Sequence, residues 1–154
     1  MLIEILSFAK SSGSAVMLEQ EYLQRLPKGF RVELKDLSAC LKGVSAERYE
    51  DLYASALQGS LSSDSQLFIL EERGREFTSE RFADFFQEKM IHGPKTIRFA
   101  LAGPYGWGNS TQKLKGSFSL SLSPLTFPSH LARLILIEQI YRASTIINGK
   151  SYHK

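Results

Sequence analysis

The chain has 154 residues, 43% of them hydrophobic, and a formal net charge of +3, which is one domain's length of chain with enough apolar side chains for an ordinary globular core. Its one cysteine, Cys40, excludes an internal disulfide, and no apolar run approaches the roughly 18 residues of a membrane span. The start, "MLIEILSFAK", lacks the basic flank and long apolar stretch of a signal peptide, so the expectation is a single cytoplasmic domain over residues 1–154.

"LIEILSF" is an apolar run of strand length, and an amphipathic helix follows near Ala15 to Arg25. "FRVELKDL" sets Phe30, Val32 and Leu34 at period two, the pattern of a strand with one buried face. "SAERYEDLYASAL" puts Ala46, Tyr49, Tyr53, Ala56 and Leu57 on one helical stripe, which the small polar residues of "GSLSSDS" end. "QLFIL" is too short for a helix and wholly apolar, hence a central strand. In "TSERFADFFQEKMI", Phe82, Phe85, Phe86 and Met90 recur at helical spacing, a face for packing on a sheet. "TIRFALA" is the next buried strand. The alternation predicts an α/β fold with a largely parallel sheet, in which ligands bind beyond the carboxyl ends of the strands.

There "RFALAGPYGWGNS" empties a strand into a turn holding Gly103, Gly106 and Gly108. Glycines so spaced mark either a tight corner or a place where a ligand lies against bare main chain. Their order is not the dinucleotide fingerprint, and no Gly-Lys-Ser/Thr follows to make a P-loop. Next, Phe118, Leu120 and Leu122 alternate with serines as a short strand, and Ser123 to Pro128 holds two prolines that bar regular pairing. Ser129 is positioned to cap a long helix from about His130 to Ile147, stopped by Asn148 and Gly149, with residues 150–154 as a tail. The two irregular segments, Gly103 to Gly108 and Ser123 to Pro128, each follow an apolar strand and are placed to line one cleft.

Metal chemistry is not indicated, since His92, His130 and His153 are far apart and Cys40 is alone. His92, beside Gly93 and Pro94, reads as a surface loop residue, and Cys40 has no sequence neighbour that would lower its pKa. Charge is uneven. Residues 1–104 carry 13 Lys or Arg against 15 Asp or Glu, whereas residues 105–154 carry 6 against Glu138 alone. That is either an unused imbalance or a face for a polyanion.

"LAGPYGWG", "SLSLSPLTFPSHLAR" and above all "IEQIYRASTIINGKSYHK" resemble the C-terminal half of the ribosomal RNA large-subunit methyltransferase H family, small members of the knotted SPOUT methyltransferases. Weaker agreement runs through "LFILEERGREFTSERFADFF" and "EYLQRL", so the resemblance covers essentially the whole chain. Glu138, Gln139, Tyr141, Arg142, Ala143 and the terminal Tyr152, His153 and Lys154 match closely. Ala102, Tyr105, Trp107 and Gly108 depart from the family's usual residues.

The resemblance implies a SPOUT-type α/β fold with a C-terminal deep trefoil knot, a homodimer, S-adenosylmethionine as cofactor, and no metal or membrane. It implies methyl transfer to N3 of a pseudouridine in large-subunit (23S) ribosomal RNA within the ribosome. The donor site implied is Leu70, Gly103 and the loop Ser123, Pro124, Leu125, Thr126, Phe127 and Pro128. An imide nitrogen is a poor nucleophile until its proton is removed or shared, and His153 is the tail residue suited to that at neutral pH. Tyr152 would orient the base, and Arg142 and Lys154 would hold phosphate or polarise a carbonyl. The basic C-terminal third then becomes the RNA face, with Lys113, Lys115 and Lys154 as contacts. Two alternatives remain open: a ribosome- or RNA-binding protein without catalysis, and a related knotted methyltransferase acting on transfer RNA.

Overall fold

A computed structural model of the chain describes residues 1–45, 47–110, 114 and 116–152. Among the described residues, strands and α-helices alternate as far as β4, which β5 and then α4 follow: β1 (Leu2–Ser7), α1 (Ser14–Gln24), β2 (Arg31–Asp36), α2 (Tyr49–Gln58), β3 (Ser65–Glu76), α3 (Ser79–His92), β4 (Thr96–Leu101), β5 (Phe118–Ser121) and α4 (Ser129–Ile147). The strands form one sheet in the order β2-β1-β4-β3-β5, with every neighbouring pair parallel.

Parallel strands are covered on both faces, and each run of apolar residues is accordingly divided between two cores. Ile3, Ile5, Phe68, Ile97 and Phe99 point to one side, where they meet Phe82 and Phe86 of α3 and Leu136, Ile137 and Ile140 of α4, with Tyr22 and Leu23 of α1 against the same cluster. Leu6, Leu67, Ile69 and Ala100 point to the other, where Tyr53 and Leu57 of α2 close over them together with Phe8 and Trp107. Glu4 also faces this second side and is 3% exposed. It is kept charged by Arg98, its partner in register on β4, and by Lys35 from β2. Burial alone would raise its pKa, but hydrogen bonds and charge from Lys35 and Arg98 outweigh that and hold the carboxyl below its usual range.

A second ionic tie fixes α1 to α4. Arg133 donates from Nε and Nη2 to the two carboxylate oxygens of Glu19 at 2.9 and 2.8 Å, and Ser11 Oγ donates to the same carboxylate at 2.8 Å. Both charges are nearly inaccessible, so losing one partner would cost about 3–5 kcal/mol. Among the described residues, no helix is long and apolar enough to cross a membrane.

The structure revises the sequence reading at several elements. β3 does not stop at Leu70: the charged stretch to Glu76 pairs again with β5 after a register shift between Leu70 and Arg75, which leaves residues 71–74 outside the ladder. α2 begins at Tyr49; Ala46, placed on its stripe, lies outside the described residues. Met90 is 41% exposed although it shares a helical face with Phe82 and Phe86. His92 is the exposed last residue of α3 rather than a loop residue. Ser129 is not a cap. It is the first residue of α4, after Pro128 in the cap position, and its hydroxyl donates to Ala102 O at 2.9 Å. The stop of α4 is as expected: Gly149 takes φ 62°, Gly149 N–H bonds Ile146 O and Lys150 N–H bonds Thr145 O.

Candidate functional site

Beyond the carboxyl ends of β4 and β5, beside the middle of β3, the sheet opens into a cleft. Three segments make its walls: Leu70, Glu71 and Glu72 from β3; Leu101, Ala102 and Trp107 from the end of β4 and its following turn; and Leu122, Ser123, Leu125, Thr126 and Phe127 after β5. Ser129 and Ala132 from the first turn of α4 complete it. Two hydrogen bonds sew these walls together. Trp107 Nε1 donates to Leu70 O at 2.7 Å, and Ser129 Oγ ties Ala102 to the start of α4. Glu71 and Glu72 reach the cleft because the register shift ejects them from the ladder; Glu71 accepts a hydrogen bond from Ser119 Oγ. The cleft is therefore apolar with two carboxylates at one wall.

The glycine turn is seated on α2. Gly103 N–H donates to the hydroxyl of Tyr53 at 3.0 Å, and a Cβ on Gly103 would stand 2.6 Å from that oxygen and 3.1 Å from Phe8 O. Gly106 and Gly108 take φ of 67° and 52°, and Gly106 N–H closes the turn on Gly103 O at 3.1 Å. Both halves of the sequence question thus have an answer. The turn is a tight corner pressed onto Tyr53, and Ala102 just before it and Trp107 within it are the residues that line the cleft.

The other end of α4 carries a polar cluster. Glu138 accepts from Arg142 Nε and Nη2 at 3.0 and 2.7 Å, from Gln139 Nε2 at 2.7 Å and from the Tyr152 hydroxyl at 3.1 Å. The Tyr152 ring lies edge-on to Tyr141 at 4.8 Å, and the Arg142 guanidinium sits 5.0 Å from its centre. Burial, followed by the hydrogen bond with Tyr22 and the charge of Glu138, pushes the Tyr152 phenol far above its usual range. It is a hydrogen-bond donor here, never a base near neutral pH. The hydrogen bond to Glu138 likewise raises Arg142, which stays charged. Ten helical residues at 1.5 Å each put Arg142 about 15 Å along α4 from Ala132 in the cleft.

Residues 1–153 match the family described as "Predicted SPOUT methyltransferase". The chain belongs to the SPOUT methyltransferase family. Among curated relatives, it is 35% identical to the ribosomal RNA large subunit methyltransferase H of Parabacteroides distasonis, with 92% of this chain and 91% of the relative covered. It is 31% identical to the protein of the same name from Flavobacterium johnsoniae, with 99% of each covered, and 34% identical to that of Desulfitobacterium hafniense strain DCB-2, with 88% and 87% covered.

A SPOUT methyltransferase uses a methyl donor, and the residues read from the sequence as its site divide in four. Leu70, Ser123, Leu125, Thr126 and Phe127 are together on the cleft wall. Gly103, Pro124 and Pro128 are not on it: Gly103 is turned to Tyr53, Pro128 precedes α4, and Pro124 lies in the loop between. Tyr152 and Arg142 meet each other at the far end of α4. His153, Lys154, Lys113 and Lys115 lie outside the described residues. Two of the six basic residues of the C-terminal third are paired with carboxylates, Arg133 with Glu19 and Arg142 with Glu138. The sequence reading missed Trp107, Glu71 and Glu72. Trp107 had a signal, being the chain's one tryptophan inside the glycine turn.

Proposed function

We propose that this SPOUT methyltransferase transfers a methyl group from S-adenosylmethionine to N3 of a pseudouridine in large-subunit ribosomal RNA, acting in the cytoplasm as a knotted homodimer. The observation that carries the reading is the cleft beyond the ends of β4 and β5, beside the middle of β3, in a chain whose relatives are named ribosomal RNA large subunit methyltransferases. When bound, S-adenosylmethionine supplies a methyl on a positively charged sulfonium.

The cleft fits such a donor in composition. Leu70, Leu101, Trp107, Leu125 and Phe127 give a purine an apolar bed, the main chain of residues 123–128 offers polar groups for its edge, and Glu71 and Glu72 favour a cation. Gly103, Pro124 and Pro128 act on this reading by shaping the two loops. His153 takes or shares the imide proton, and Tyr152 and Arg142, fixed by Glu138, orient the base. The roughly 15 Å between Arg142 and Ala132 on one rigid helix supports a further step: the tail of one subunit completes the cleft of its partner.

The test is to incubate the protein with labelled S-adenosylmethionine and separate ribosomal and transfer RNA pools, then map the label. One methylated pseudouridine in the large-subunit RNA is expected. Label only in transfer RNA would reassign the substrate, and donor binding without transfer to either pool would make the protein a binding module.

A further inference from the structure

A second recess adjoins the cleft. It lies between the end of β5, the start of α3 and the middle of α4, where Phe77, Phe82, Ser121, Leu122, Ile135 and Gln139 line it. Leu122 is also on the wall of the cleft, so the two share a wall residue.

The recess contains a hydroxyl that the fold itself does not use. Ser121 is 4% exposed, and its Oγ has no hydrogen-bond partner among the described residues. Its neighbours are spent otherwise, Ser119 Oγ on Glu71, Ser117 Oγ on Leu114 O and Ser129 Oγ on Ala102 O. Buried hydroxyls are almost always hydrogen-bonded, because leaving one unmade costs free energy with nothing in return. Gln139 adds an oriented amide: Ser79 Oγ donates to its Oε1 at 2.8 Å, and its Nε2 donates to Glu138 at 2.7 Å. An amide has two N–H groups and two carbonyl lone pairs, so a ligand edge still finds a donor and an acceptor there. Phe77 and Phe82, their ring centres 6.0 Å apart and tilted by 52°, make its aromatic wall. An apolar recess with an unpaired hydroxyl and an amide is the chemistry that takes up a base turned out of a nucleic acid.

We propose that this recess receives the acceptor base, a uracil-type pyrimidine turned out of the RNA, with Ser121 Oγ and the Gln139 amide on its polar edge and Phe77 against its ring. Transfer needs the nucleophilic nitrogen within about 3–3.5 Å of the methyl in a near-attack geometry, and Leu122, which lines both recess and cleft, sets the two side by side. The inference rests on the methyltransferase reading for the identity of the acceptor.

Two variants test it. Ser121→Ala removes the hydroxyl and Ile135→Phe fills the recess from α4, while neither residue lines the donor cleft. S-adenosylmethionine affinity, read by calorimetry, should stay within twofold in both. With large-subunit particles as substrate, kcat/KM should fall about tenfold for Ser121→Ala, the scale of one lost hydrogen bond to a ligand, and below detection for Ile135→Phe. The melting temperature of Ser121→Ala should hold or rise, since an unused buried hydroxyl is removed; a merely structural serine would lower it. Independently of turnover, pseudouridine nucleoside titrated into the protein with S-adenosylhomocysteine should shift the Gln139 side-chain amide and Phe82 resonances saturably, and both variants should abolish this. Wild-type turnover in both variants overturns the recess and leaves the methyltransferase reading intact. Nucleoside binding at Gln139 without transfer by the wild type does the reverse.

Discussion

Replacing Gly103 by alanine tests which side of the glycine turn matters. The added methyl would lie 2.6 Å from Tyr53 Oη, 2.9 Å from Leu41 Cδ1 and 3.1 Å from the main-chain oxygen of Phe8. Leu41 can turn away, but Tyr53 cannot: it is fully buried, with the rings of Phe8, Tyr49 and Trp107 at 4.4, 5.3 and 5.3 Å. Overpacking of this kind costs about 1–3 kcal/mol, and stretching the bond from Gly103 N–H to Tyr53 adds about 1 kcal/mol. The sum, about 2–4 kcal/mol, lowers the melting temperature of a chain this long by roughly 5–15 °C. Tyr53→Phe alone should cost about 1–3 kcal/mol by orphaning the Gly103 N–H. It also deletes the oxygen that the alanine strikes, so the double variant should be at least about 1 kcal/mol more stable than the sum of the singles. Thermal or urea unfolding reads all four proteins, and calorimetry at a temperature where all are folded reads the donor. Affinity should change little, because Gly103 is behind the wall. Wild-type stability in Gly103→Ala together with lost donor binding would mean that this glycine faces the ligand and that the contact with Tyr53 is incidental.

Glu4→Gln should destabilise by about 1–3 kcal/mol and flatten the acid limb of the stability curve. The folded pKa of Glu4 lies below that of a free glutamate, so its contribution is present above the free value and is lost as pH falls through the folded value; an unchanged acid limb in urea titrations at stepped pH would remove Glu4 from the balance. Charge reversal at Lys113 and Lys115 should weaken binding to ribosomal RNA and reduce its salt slope by about one per lost phosphate contact, with donor affinity unchanged; filter binding at several salt concentrations measures both. His153→Ala should lower methylation by about 100- to 10,000-fold. Mixed and re-equilibrated with Ala132→Phe, which blocks the cleft, it should recover about a quarter of wild-type activity if the tail acts on the partner's cleft, since half of the dimers are mixed and each has one complete site; no recovery would keep the tail on its own subunit.

The sheet was readable because buried parallel strands leave an unmistakable mark: "LIEIL", "QLFIL" and "TIRFAL" cannot alternate when both faces are covered. The same rule hid the second half of β3. "EERGRE" has no apolar side chain and lies where the sheet is narrow, yet it pairs with β5 through Leu120 and Ser121; only the main chain of a neighbour 45 residues away in sequence from Arg75 decides this. Ser129 shows the limit of a local signal. A serine before a long apolar stripe is a good cap on propensity, but its hydroxyl found a tertiary acceptor in Ala102 O instead, and in doing so became part of the cleft.

The cleft itself was legible as two loops beyond strand ends, because topology alone brings such loops together. Its charge was not. Glu71 and Glu72 follow Leu70 as ordinary strand residues would, and only the register shift with β5 turns them out toward the site. Trp107 was visible as an oddity in a glycine turn, but its role depends on the distance to Leu70 O, which no spacing encodes. The tail gives the opposite lesson. Asn148 and Gly149 announce a stop, and residues after a stop ordinarily fray. Here the left-handed Gly149 reverses the chain, so that Tyr152 falls back on the face of α4 bearing Tyr141, Arg142 and Glu138. That return fixes the chain at Tyr152 instead of leaving it loose after the stop.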